Sequence, residues 1–302
     1  MRSSVIVFAI VCACATVIGM AAPQDQDDVR GAFLTSRPKD KPANSEAGAR
    51  PSRRHPKPTT GNNPDTTTDK KPVKPGGPGT TSHKPSDTTK PVNVSRLGLG
   101  MTLFTRDSNG LAVRIDPAHV FRKGDRVRVL LETNTDGYLY IFNSTDNGPV
   151  MMIYPDADLD EAGNYMKAHV PWEIPSSASD QERLRWLVFD ANPGTERLYF
   201  VLTREPLNGV PIEDELITLC RGTSGACPWH PSDELWASIR KHIQEPLATD
   251  KGGNYGPAQT ELEQQSASRG ISLAKNDPEP STIMMASSTS PMLVATLELI
   301  HK

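Results

Sequence analysis

Aromatic residues make up only 6% of this 302-residue chain and apolar residues 36%, so a large share of it has nothing to bury. Familiar catalytic signatures are missing as well. There is no Gly-x-Ser-x-Gly elbow, no His-Glu-x-x-His and no Gly-x-x-x-x-Gly-Lys loop. Those gaps exclude the α/β-hydrolase, the zincin and the P-loop nucleotidase in their usual forms. Cysteine is scarce: of four, Cys12 and Cys14 lie in the first apolar run, which leaves Cys220 and Cys227 as a pair. Neither the number nor the seven-residue spacing suits a zinc or redox site, and no cofactor is expected. Long apolar runs are also few, and only the one ending near Ala22 approaches a bilayer span.

That run has the layout of a secretory signal. Arg2 supplies the positive end, Val5 to Ile18 is apolar, and Gly19-Met20-Ala21 places small residues before a cut at Ala22. Residues 1–21 therefore read as a signal peptide. Two other readings stay open: an uncleaved anchor over Val5 to Ala22, and lipidation at Cys14 within Val11-Cys12-Ala13-Cys14. All three place the protein outside the cytoplasm, either secreted or in the periplasm and cell envelope. A cleaved chain would have no transmembrane segment.

Residues 22–95 read as a disordered linker rich in Pro, Thr and Lys. Between Thr35 and Ser95 the only branched apolar residues are Val73, Val92 and Val94, too few to offset the entropy of ordering. The stretch 23–95 holds 13 Lys/Arg against 8 Asp/Glu, so the net charge of -3 for the whole chain leaves residues 96–302 acidic. An acidic domain argues against a nucleic-acid partner. A basic tether suits an anionic surface.

From residue 96 the sequence alternates and turns. Val127, Val129 and Leu131 alternate with Arg128, Leu130 and Glu132, a period of two with one buried face. Turns at Asp107-Ser108-Asn109-Gly110, Lys123-Gly124-Asp125 and Asn134-Thr135-Asp136-Gly137 separate short strands. The expected fold is an all-β, Ig-like antiparallel sandwich over 96–302 with two short helices. One helix spans Glu213 to Cys220. The other is capped by Ser232 and runs to about Ile243, with Leu235, Trp236, Ile239 and Ile243 on one face. A Cys220–Cys227 disulfide between them would close an eight-residue loop and contribute about 2.5 kcal/mol. Residues 246–282 read as a flexible loop. Residues 292–301 read as a closing strand, with Leu293, Ala295, Leu297 and Leu299 on its buried face.

Gly137-Tyr138-Leu139-Tyr140-Ile141-Phe142-Asn143, Tyr154-Pro155, Trp172-Glu173-Ile174-Pro175 and Gly194-Thr195-Glu196-Arg197 leading to Thr203-Arg204-Glu205-Pro206 carry a further signal. In order and spacing they resemble the bacterial "domain of unknown function 4384" family, over roughly 96–207 and extending to the final strand. The resemblance implies a compact β-rich domain of the envelope or of signalling proteins. It assigns no activity and no site residues.

Candidate sites are few. Asp156, Asp158 and Asp160 start like a calcium loop, but the glycine falls at 163 and Lys167 stands where a bidentate Glu belongs, so an acidic hairpin loop is the better reading. Gly98-Leu99-Gly100 opens a strand and lacks the third glycine of a nucleotide loop; small residues in an edge strand account for it. Tyr138 and Tyr140 share one strand face, either packed inward or, with Trp172, forming an exposed aromatic strip for a sugar or peptide. The expected function is a non-catalytic interaction module of the bacterial envelope, meeting an unidentified envelope protein or polysaccharide. The alternatives are a structural or assembly component, or an envelope hydrolase with a dispersed active site.

Overall fold

The computed structural model describes residues 26–40, 96–157, 162–179, 181–221, 227 and 229–302. The signal segment 1–21, linker residues 41–95 and the acidic positions Asp158 and Asp160 lie outside them.

Two sheets face each other. The first contains β1 (Gly98–Arg106), β2 (Ala112–Arg114), β4 (Arg126–Thr133), β8 (Trp172–Ile174), β9 (Leu187–Val188), β11 (Ala248–Lys251) and β12 (Thr282–Met285). Its order is β11-β12-β1-β4-β8, with β2 joined to β1 and β9 to β4. The second contains β3 (Val120–Phe121), β5 (Gly137–Thr145), β6 (Met151–Tyr154), β7 (Tyr165–Met166), β10 (Gly194–Thr203) and β13 (Met292–His301), in the order β3-β13-β10-β5-β6 with β7 on β5. All pairs are antiparallel except β3 with β13. The fold is a β-sandwich. Its interior takes alternate residues of each strand: Leu99, Met101 and Leu103 from β1, Val127, Val129 and Leu131 from β4, and Leu198, Phe200 and Leu202 from β10.

The closing strand is integral. β13 pairs with β10 over ten residues, from Gly194↔His301 to Thr203↔Met292. Leu293, Ala295, Leu297 and Leu299 enter the interior, whereas Thr296, Glu298 and Ile300 are exposed. Its other face is buried near the start, where Met292 and Val294 lie under helices.

Those helices are α2 (Glu213–Cys220) and α3 (Asp233–Ile243). The Ser232 hydroxyl accepts from the Leu235 N–H at 3.2 Å, Glu213, Asp214 and Glu215 fill the first turn of α2 and Asp233 and Glu234 that of α3, and Arg240, Lys241 and His242 end α3, so these charges complement the helix dipoles. Ile239 is fully buried, with Leu235, Trp236 and Ile243 packed beside it on the outer face of the second sheet. The Cys220–Cys227 disulfide is formed.

Three expectations need correction. Among the described residues the sandwich carries four α-helices, not two. Residues 26–40, inside the linker expected over 22–95, are folded: α1 (Gln26–Thr35) packs Val29, Phe33 and Leu34 on Ile283 and Met285 of the first sheet. The stretch 246–282 is not an open loop. β11 pairs with β12, residues 256–259 bond to β2 through Gly256 N–H to Arg114 O and Gln259 N–H to Ala112 O, and α4 (Glu261–Arg269) follows. Polar composition hid this, because α4 buries only a narrow stripe that includes Ser266 and Ala267.

β1 is also an interior strand, flanked by β12 and β4, and its glycines have a packing reason. A Cβ at Gly100 would stand 2.5 Å from Cγ of Pro280 and 3.2 Å from Cζ of Phe33, and one at Gly98 would meet Phe33 at 3.0 Å. Small residues let α1 and the chain before β12 lie flat on the sheet.

Candidate functional site

The aromatic strip does not exist. Tyr138 and Tyr140 point outward from β5 but are buried beneath α2 and α3, where the Leu207 N–H donates to Tyr140 Oη at 2.9 Å. Trp172 is buried on the opposite sheet, inside the sandwich. The structure does not bring the three together, and none offers a surface. Cys220 and Cys227 are consumed by their disulfide. No group of three or more His, Cys, Asp or Glu among the described residues could hold a metal ion.

The chemistry lies on the outer face of the first sheet, which carries charges where a sandwich normally meets water. On β4 the residues between the core positions are Arg126, Arg128, Leu130 and Glu132, and their neighbours include Phe104 opposite Arg128 and Glu173 opposite Leu130. α1, α4 and the 252–260 segment cover much of this face, so its charges must find partners inside the protein. Arg37 donates from Nε and Nη2 to the two oxygens of Glu132 at 2.9 and 2.7 Å, and His169 Nδ1 lies 2.8 Å from the same carboxylate. Arg114 pairs with Glu263 of α4, which also closes the capping box with Thr260. These two groups are satisfied and structural.

The third group is not. Between the 107–111 turn, the 3-10 turn Glu182–Leu184 and the start of α4 opens a polar cleft of about 280 Å³. Arg106, Arg128, Arg185, Glu182, Trp186 and Gln259 shape it. Glu182 is shared by three arginines: Arg106 at 3.1 Å, Arg185 at 3.2 Å and Arg126 at 3.7 Å. Its side chain is 57% exposed, and those of Arg106 and Arg185 are 37% and 39% exposed, so each pair is worth about 0–1 kcal/mol and exchanges readily.

Arg128 differs. Its side chain is 5% exposed, its guanidinium lies 4.1 Å from the Trp186 ring centroid, and its nearest carboxylate oxygen, on Glu173, is 3.7 Å away. That is an ion pair too long for a hydrogen bond. The Glu173 oxygens are engaged elsewhere, by the Ser177 N–H at 3.0 Å and by Gln259 Nε2. Nε of Arg128 has no hydrogen-bond partner, and burial followed by the nearby Arg185 charge lowers its pKa against the opposing pull of Glu173. A guanidinium has five N–H donors and stays charged at any physiological pH, so this is a buried cation with unused bonding capacity.

Sequence reading placed Arg128 on the outward face of β4 and went no further. Arg185-Trp186, so close after Glu182, was the remaining signal, but only the pairing of β9 with β4 at Arg126↔Val188 brings that segment over β4.

Residues 120–206 match the model of the family described as Domain of unknown function (DUF4384), in agreement with the resemblance carried by the sequence motifs. The matched stretch includes Arg126, Arg128, Glu182, Arg185 and Trp186, and Arg106 precedes it. No curated protein and no solved structure matches the chain.

Proposed function

We propose that the sandwich, including its family-matched strands, is a non-catalytic binding module that works outside the cytoplasm at the bacterial cell envelope, and that the arginine cleft is its binding site. The observation that carries this reading is Arg128, a buried guanidinium lacking a hydrogen bond at the floor of an open cleft with two more arginines in its walls. Arginine grips an anion through charge and a planar fork of donors, and it does not exchange protons near neutral pH. Such a lining holds a ligand without being suited to turning it over. Envelope location is supported by the Arg2-led apolar run at 1–21 and by the Cys220–Cys227 disulfide, which is at home in an oxidising compartment. The partner is then an anionic envelope component, protein or polysaccharide. None of the helices among the described residues is long and apolar enough to cross a membrane.

A pelleting assay tests this. The purified chain should co-sediment with isolated envelope fragments and be released by salt, and the double variant Arg106→Ala/Arg185→Ala should be retained at least tenfold less. Equal retention of the double variant would show that the cleft is not the binding site.

A further inference from the structure

The cleft also carries information about its ligand. Among the described residues, the ionisable side chains lining it, with their ion-pair partners, are Arg106, Arg126, Arg128 and Arg185 against Glu173 and Glu182. Four arginines against two glutamates leave two positive charges unbalanced. Within that group Glu182 serves as the shared counter-ion of three arginines, an arrangement a ligand of higher charge and more acceptor oxygens can displace. One carboxylate would leave a positive charge uncompensated and supply only two oxygens. A tetrahedral dianion supplies both charges and at least three acceptors, enough for Arg106 and Arg185 to turn from Glu182 and for Arg128 to gain the bonds it lacks. The Trp186 ring, its centroid 4.1 Å from the Arg128 guanidinium carbon, packs against that cation, and Gln259 and Gln264 add polar atoms on the α4 side.

Resting on the binding role proposed above, we infer that the cleft recognises a doubly charged tetrahedral oxyanion of the phosphomonoester type. Isothermal titration calorimetry on the full mature chain at low salt tests it with inorganic phosphate, O-phosphoserine, sulfate and acetate. Phosphate, phosphoserine and sulfate should bind at one site, and acetate at least tenfold more weakly. Tighter binding of phosphoserine than of inorganic phosphate identifies an ester on a larger molecule as the source, and the reverse identifies the free ion. Lowering the pH from about 7.5 to 5 takes a phosphomonoester through its second pKa near 6 and should weaken phosphoserine several-fold. Sulfate keeps both charges over that range and is the control for any effect of pH on the protein itself. Arg106→Ala/Arg185→Ala should weaken every dianion at least tenfold. Should that variant lose its near-ultraviolet dichroism, Arg106→Ala alone replaces it, because the only ion pair of Arg106 among the described residues is with exposed Glu182. Acetate binding as tightly as sulfate, or dianions binding the variant as they bind the wild type, would overturn the inference. If no dianion binds while envelope retention still depends on Arg106 and Arg185, the ligand class is wrong and the binding role stands. Loss of both dependences removes both.

Discussion

Leu297 and Glu298 are neighbours on β13 with opposite fates: Leu297 enters the sandwich, and Glu298 meets Arg197 Nε at 2.8 Å at the surface. Leu297→Ala should cost about 2–5 kcal/mol in urea unfolding, and Glu298→Ala no more than about 1 kcal/mol. Glu132 is a harsher case, because its carboxylate is buried with Arg37 and His169 around it. Glu132→Ala leaves Arg37 charged and unpaired in the interior and should cost about 3–5 kcal/mol. The double change Arg37→Met/Glu132→Leu should cost less than the single one, since no charge is stranded. Tyr165 sets a pH dependence. Burial first, then the bond its Oη donates to Asp136 Oδ2 at 2.7 Å, push its pKa up to about 12 from 10.0. The folded state therefore holds this proton more tightly than the unfolded chain. The stabilisation is complete below pH 10 and is lost as the pH rises towards 12. Unfolding curves at pH 9, 10, 11 and 12 should show that decline, and Tyr165→Phe should flatten part of it.

At the scale of elements, the outer faces of the two sheets are treated differently. The second sheet buries aromatic residues under α2 and α3, an apolar contact made by Phe142, Tyr199 and Trp236, with ring centroids 5.9 and 5.0 Å apart. The first sheet instead buries ions under α1 and α4 and leaves the Arg128 end open. That open end combines charge with access. The segment between α3 and β12 is part of this cover, because β11, the 256–259 bonds to β2 and α4 tie it down along its length. Limited proteolysis under native conditions should leave residues 246–282 intact. Rapid cleavage there would mean that the cover over the first sheet is loose.

For the whole molecule, the start of the folded chain matters most. α1 begins at Gln26, four residues past the expected cut before Ala22, and its Phe33 is fully buried against the first sheet. Export with cleavage at Ala22 would thus leave the helix whole. Mass measurement of the extracytoplasmic protein should place its N-terminus at Ala22 or within a few residues, and an intact Met1 there would contradict export by a cleaved signal. The helix is tied to the sandwich through Arg30, which bonds Asp250 at 2.6 Å, and Arg37 just after it bonds Glu132.

What the sequence determined by itself is what near neighbours in the chain decide. Alternation in β4, β10 and β13 sets which residues face the interior, and Ser232 with its flanking charges sets the start of α3. Both depend on spacings of two to four residues, which composition displays directly. The Thr260-x-x-Glu263 box of α4 was equally local, but it stood in a polar segment with little to bury. What the tertiary structure alone decided is the second face of each sheet. Tyr138 and Tyr140 could have met water or helices, and nothing near them in sequence distinguishes the two; α2 and α3 arrive from more than seventy residues away. The same holds for Arg128. As one of several outward charges on a strand it is unremarkable in sequence. It becomes a buried cation short of hydrogen bonds only because Trp186 packs against it while the Glu173 oxygens bond elsewhere. Burial and partnering are properties of the assembled layers, and the candidate site exists only at that level.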